Sequence, residues 1–199
     1  IPITLIINIL SMVLIFIISL YFGIKSALNK NSFFDRFTGQ LSLLSFSMPS
    51  FYLALLLVLV FSINFEILPI AGLHSVPDDG SFAYYLDYAW HLVLPICIIV
   101  FGGIWSLILY IRSLTIEILK SDYIFFAQAR GLSQKQILRY YILPNLYPPV
   151  ITLLGLSLPG IIGGSVILET IFSIDGMGWL FYQSALAHDY PVIMGILII

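Results

Sequence analysis

Side chains able to ligate a metal or to act as nucleophiles are few and scattered in this 199-residue chain, which has three histidines and one cysteine. His74 and His91 fall in one connecting segment but share no helix face, so no metal site is read from them. Cys97 sits in an apolar run, and a lone cysteine forms no intrachain disulfide. The sequence has no phosphate loop of the form GxxxxGK(S/T), no HExxH and no GxSxG. The chain is therefore not expected to bind ATP by the phosphate-loop route, nor to work as a zinc protease or serine hydrolase. The chemistry that remains is recognition. It concentrates in residues 121–144, SDYIFFAQARGLSQKQILRYYILP, which carry Arg130, Lys135 and Arg139 between long uncharged runs.

The punctuation of that segment predicts two short helices. Ser121 is placed to cap the first, Gly131 to end it in a left-handed conformation, and Ser133 with Gln136 to form a capping box at the start of the second. Ile137, Leu138, Tyr141 and Ile142 then recur at helical spacing up to Pro144, which is expected to stop the helix. A polar helix-break-helix tied at both ends to membrane-length apolar runs is either a cytoplasmic element that another protein grips or a solvated loop.

Composition sets the medium. Hydrophobic residues make up 60% of the chain and charged residues 9%, with mean hydropathy +1.07; a typical soluble domain is about a quarter charged. This is an integral membrane protein. Net charge of -2 decides nothing further, because placement matters more than the sum. Residues 1–24, 37–65, 92–111 and 140–168 contain no Asp, Glu, Lys or Arg. About 20 residues at ~1.5 Å rise cross a hydrocarbon core of ~30 Å, so each run predicts a span. A fifth run, 190–199, is expected to be the start of another span, and no signal peptide is read at the N-terminus.

Basic residues orient the spans. Lys25, Lys30 and Arg36 lie in the first connection, Arg112, Lys120, Arg130, Lys135 and Arg139 in the third, and the others have none. By the positive-inside rule these two connections are cytoplasmic, and 66–91 and 169–189 are extracytoplasmic. The first connection, basic and aromatic, suits the headgroup region. Gly23 is read as the cytoplasmic end of the first span. Residue 1 then lies outside, which implies an upstream span.

Small and helix-breaking residues mark the places where function could enter the membrane. Pro49 is expected to kink the second span, as a pivot facing a pathway or as a tolerated packing residue. The Gly102-Gly103 pair reads as close helix packing first and a pathway second. The least regular span carries Gly155, Pro159, Gly160, Gly163 and Gly164, with Gly160 and Gly164 in GxxxG spacing. It lies against a partner near a solute path, or simply packs closely. Glu169 follows it and is read as a solvated end, with a gate or a partner contact as alternatives. Tyr84, Tyr85, Tyr88 and Trp90 read as an interfacial belt.

Ala127, Gly131, Leu143 and Pro144 fall at the spacing of the EAA loop of ABC-transporter permeases, which the segment resembles. Phe125 and Phe126 stand where that pattern has Glu and its first Ala, and Tyr141 where it has Ile. Outside the loop, FDRFTGQLSLLSFSMPSFYLALLL, AWHLVLPI, GLHSV and ETIFSIDGMGWLFYQSALAHDYPVIMG look like the dipeptide, oligopeptide and nickel branch, B-type subunit. These stretches cover most of 34–195.

The resemblance implies an all-α polytopic transmembrane bundle of the type I importer kind, with about five of six spans present and the last truncated. It implies one transmembrane domain over 1–199, with spans near 1–24, 37–65, 92–111, 146–168 and 190–199 and a cytoplasmic coupling segment at 113–145. The expected function is that of a permease subunit in an ATP-driven importer in a prokaryotic cell membrane. Its cargo is peptides, or nickel, delivered by an extracytoplasmic solute-binding protein that meets 66–91, and the pathway is shared with a second homologous permease. ATP and Mg are expected on a separate ATPase subunit, with no cofactor, metal or nucleic acid on this chain. Phe125, Phe126, Ala127, Gln128, Ala129, Arg130, Gly131, Leu143 and Pro144 form the implied coupling loop, with Lys135 at its rim. The resemblance also suggests a short helix dipping between the last two spans. The alternatives are an autonomous secondary transporter or channel, which the lack of charge inside the four complete spans weakens, and a non-transporting membrane scaffold.

Overall fold

A computed structural model describes residues 1–198, with Phe46 described by its backbone only. Ile199, the last residue of the fifth apolar run, lies outside the described residues. Helices account for every regular element among them: α1 (Pro2–Leu28), α2 (Phe33–Ser47), α3 (Ser50–Leu57), α4 (Phe82–Leu119), α5 (Asp122–Ala129), α6 (Gln134–Ile137), α7 (Leu143–Ser157), α8 (Gly160–Gly163), α9 (Val166–Ile171), α10 (Met177–Leu186) and α11 (Tyr190–Ile198). π-Helical turns follow α3 at Val58–Asn64 and α6 at Leu138–Ile142. The protein is an all-α polytopic membrane protein.

Two helices, α1 and α4, are long and apolar enough by themselves to cross a membrane. Two broken pairs reach the same length and composition together, Phe33–Ser45 with Ser50–Asn64 and Gln134–Ser157 with Gly160–Ile171. The breaks correct two expectations. Pro49 does not kink a continuous helix; it stands between α2 and α3 with extended backbone (φ -61, ψ 140), and the Ser47 hydroxyl donates to the Leu43 carbonyl at 3.0 Å. Pro144 does not stop the helix after Gly131. It falls inside the continuous helical run Gln134–Ser157, where the π-turn over 138–142 carries the chain past it. Gly23 also fails to end α1, which runs on to Leu28.

The chain forms two compact units. The first comprises Ile1–Val13, Met48–Gly102 and Leu158–Ile199, the second Leu14–Ser47 and Gly103–Ser157, and α1 and α4 contribute to both. In the first unit Ile3, Ile7, Ala54, Val58, Leu92, Ile98, Leu168, Phe172 and Ile174 form the core. Its outer loop is pinned to the folded part: Gly72 donates to the Phe172 carbonyl at 2.7 Å, and Trp90 Nε1 to the Ile67 carbonyl at 3.1 Å. Asp87 accepts from the Ser75 amide at 2.5 Å, and His91 engages the Asp87 carbonyl and the Ser75 hydroxyl through its two ring nitrogens. His74 lies instead tilted against Tyr84, with ring centroids 5.5 Å apart.

In the second unit Ile24, Ile111, Ile124, Ala127, Ile137, Ile142, Leu146 and Val150 form one cluster, so the polar segment and the helices leading into it share a core. α1 and α4 approach closely because glycines stand at their contact. A Cβ on Gly23 would lie 2.8 Å from Ile111 Cβ and 2.9 Å from the Ile108 carbonyl oxygen, and one on Gly103 would lie 2.6 Å from Ile15 Cδ1. A Cβ on Gly102 would meet nothing within 4 Å. Gly23→Ala is expected to destabilise the detergent-solubilised protein by about 1–3 kcal/mol through overpacking, while Gly102→Ala stays near wild type. Thermal midpoints from size-exclusion profiles of the two variants check this, and equal midpoints would refute the assigned contact.

Candidate functional site

The segment after α4 is built from recognisable end signals. Ser121 occupies the capping position of α5, but its hydroxyl donates back to the Ile118 carbonyl at 2.5 Å rather than accepting from α5, so the expected side-chain cap is not made. At the far end of α5 the Gly131 amide donates to the Gln128 carbonyl at 2.9 Å and the Leu132 amide to the Ala127 carbonyl at 3.2 Å. With Gly131 at φ +79, this is a Schellman ending. Ser133 then caps α6 by a capping box: its amide donates to Gln136 Oε1 at 2.8 Å, and the Gln136 amide donates to Ser133 Oγ at 3.4 Å. Two helix ends thus meet across the four residues 130–133, fixing the angle of α5 against α6.

That geometry sorts the predicted loop residues by face. Ile124 and Ala127 are buried in the core of the second unit and Leu143 is half-buried, whereas Gln128, Ala129, Arg130, Gly131, Lys135 and Pro144 are exposed. Phe125 and Phe126 are 67% and 63% exposed and pack edge-on to one another at 5.9 Å. Two bare phenylalanines on an eight-residue helix form a small apolar surface.

The broken segment α7 to α9 carries the other predicted residues. A Cβ on Gly155, Gly160 or Gly163 would meet nothing within 4 Å, so these glycines make no close packing inside the described chain. Pro159 and Gly163 line an apolar groove of about 460 Å³ with Ile162, Val166, Phe181 and Leu197. Gly164 differs: it has φ +66, and a Cβ there would fall 2.5 Å from Glu169 Oε1. Pro49 is exposed at the α2–α3 break.

Glu169 was expected to be a solvated end and is instead 5% exposed. Its carboxylate caps α10, whose own capping residue, Gly176, has no side chain to do so. Trp179 N donates to Oε2 at 2.8 Å, Thr4 Oγ1 donates to Oε1 at 3.2 Å, and the Met177 amide donates to Thr4 Oγ1 at 2.9 Å. Orphan amides at a helix start and the positive end of its dipole favour a carboxylate there. The glycines of the GMG turn make room. A Cβ on Gly176 would overlap the carboxylate, and one on Gly178 would lie 2.6 Å from the Val166 amide nitrogen. A cavity of about 10 Å³ beside Thr4, Asn8, Ser165 and Glu169 has space for about one water.

A second carboxylate was also missed. Asp35, in the first turn of α2, is 6% exposed and takes a two-pronged ion pair from Arg112 of α4, with Nε at 2.5 Å and Nη2 at 2.8 Å. It also accepts from the Ser26 hydroxyl and, at 2.9 Å, from the Asn31 amide. Its neighbour Lys25 lies over the Tyr21 and Phe34 rings. Away from the spans, hydrogen bonds from Ser81 hold the Asp79 carboxyl below the usual carboxylate range. Ser32 three residues before Asp35 is a capping signature that the sequence does contain. The contact with Arg112 has no local signal.

Apolar helices, two broken membrane-length pairs and an exposed aromatic face beside a buried core define the class: a helical membrane protein. The chain belongs to the family described as binding-protein-dependent transport system inner membrane component, which matches residues 16–199. It is 35% identical over 198 residues to an oligopeptide transport system permease protein, AppB, of Bacillus subtilis (strain 168), covering 100% of this chain and 62% of that protein. It is 36% identical over 194 residues to a dipeptide transport system permease protein, DppB, of the same organism, covering 98% and 59%. Against a dipeptide permease DppB of Lactococcus lactis subsp. cremoris the identity is 37% over 177 residues, covering 89% and 54%. The chain thus spans roughly six tenths of the length of these relatives.

Proposed function

We propose that this chain is the permease subunit of an ATP-driven importer, gripped at α5–α6 by a separate ATPase subunit that carries ATP and Mg. The observation that carries the reading is the two-faced α5: Phe125 and Phe126 are bare, while Ile124 and Ala127 lock the same helix into a core with Ile24, Ile111 and Leu146. A push on the outer face reaches the membrane helices without first being absorbed by a loose loop. Phe125, Phe126 and Ala129 supply the apolar grip, with Gln128, Arg130 and Lys135 at its rim. The residues of 113–145 act as the coupling segment of one transmembrane domain.

Peptides are the proposed cargo in preference to nickel, since the relatives above are named for oligopeptides and dipeptides. An extracytoplasmic binding protein delivers them, and acidic groups of 66–91 suit basic residues on it. Solute crosses between this chain and a second permease. The uncrowded Gly155, Gly160 and Gly163 and the groove at Pro159 support placing α7 to α9 on that path. In cells expressing the whole system, peptide uptake is expected to stop on ATP depletion and to survive a protonophore while ATP is maintained. Uptake by this chain alone that follows an ion gradient would instead establish the secondary transporter.

A further inference from the structure

The Asp35 carboxylate joins three helices beside the basic first connection. Ser26 from α1 donates one hydrogen bond to it, and Arg112 from α4 donates two. Asp35 itself fixes the start of α2, because its amide donates to the Ser32 hydroxyl oxygen at 3.2 Å and its carboxylate accepts from the Asn31 amide. Thr38 Oγ1 stands 3.2 Å from the Ser26 hydroxyl and accompanies the cluster one turn on. Arg112 lies on the same unbroken helix that ends at Leu119 and passes into α5 through a tight turn, where Lys120 and Ser121 donate to the Glu117 and Ile118 carbonyls.

We propose that Asp35 and Arg112 are positioning residues for transport, their ion pair carrying the movement of α5 into α1 and α2. This rests on the coupling reading of α5 above. A guanidinium fork on a carboxylate resists both rotation and sliding, which a single hydrogen bond or an apolar contact does not. Apolar packing in the shared core lets helices slip by small steps. The fork fixes the register of α4 against α2, so a displacement arriving along α4 displaces the α2 start as well.

The test uses the assembled transporter in proteoliposomes, with Cys97→Ser as background. Cysteine is introduced at Gln128 on α5 or at Gln40, one turn and more beyond Asp35 on α2, and the maleimide labelling rate is compared in MgADP and in vanadate-trapped MgATP. In the parent both rates are expected to change, by threefold or more. In Asp35→Asn and Arg112→Gln the Gln128 response is expected to remain while the Gln40 response falls below half of its parent value. Arg112→Lys, which keeps the charge but loses the fork, is expected to fall between. A merely structural role lowers yield and thermal midpoint without separating the two responses. An undiminished Gln40 response in both charge-removing variants overturns the inference, as does a parent in which Gln128 responds and Gln40 does not. Should Gln128 itself fail to respond in the parent, the coupling reading falls first.

Discussion

Replacing Glu169 by alanine is expected to lower the stability of the solubilised protein by about 3 kcal/mol. The change leaves the part-buried Trp179 amide and the buried Thr4 hydroxyl without their acceptor, and each hydrogen bond to a charged group is worth about 1.5–3 kcal/mol. The void left between Gly164 and Gly176 adds to the loss. For a chain of this size that corresponds to a midpoint roughly 6–12 °C lower. Glu169→Gln retains an acceptor and the volume, so about half the loss is expected. A size-exclusion melting series decides, and a midpoint unchanged in Glu169→Ala would remove the capping role assigned to the carboxylate.

The second large effect is at Gly131. No side chain crowds this position, since a Cβ there would meet nothing within 4 Å, so the cost of substitution lies wholly in the backbone. At φ +79 a β-branched residue is a steric outlier, and a Cβ costs roughly 1–2 kcal/mol. That is enough to lose the Schellman ending, and with it the fixed angle between α5 and α6. Gly131→Val is therefore expected to cut solute uptake tenfold or more while ATP hydrolysis and membrane insertion persist. Gly131→Asn, whose residue tolerates the left-handed region, is expected to keep most of the uptake. Parallel assays of uptake and hydrolysis separate the two, and normal uptake by the valine variant would contradict the coupling role.

These two positions also show what the chain discloses on its own. The ending of α5 was legible because every signal in it is local: Gly131, Ser133 and Gln136 stand within six residues, and turn chemistry of this kind needs no partner from elsewhere. The two apolar helices were legible from composition. The extents of other elements were not. Pro144 looked like a stop, but the π-turn at 138–142 carried the chain past it, and nothing in the side-chain types of LRYYI announces that turn. Glu169 and Asp35 were illegible for a different reason. Each is held by residues distant in the chain, Thr4 in one case and Arg112 in the other, so their burial depends on helix packing. The carboxylate that the GMG turn accommodates could be assigned only once α9 and α10 were placed.

Everything proposed for transport turns on whether the outer face of α5 is where an ATPase subunit holds this chain. Cysteine at Phe126 or Gln128, crosslinked to the co-expressed ATPase subunit with and without ATP, measures that directly. A specific crosslink whose yield changes with nucleotide is the predicted result. No crosslink at either position, in a folded protein whose 121–144 segment is shown to face the cytoplasm, would contradict the account and favour a transporter that works alone.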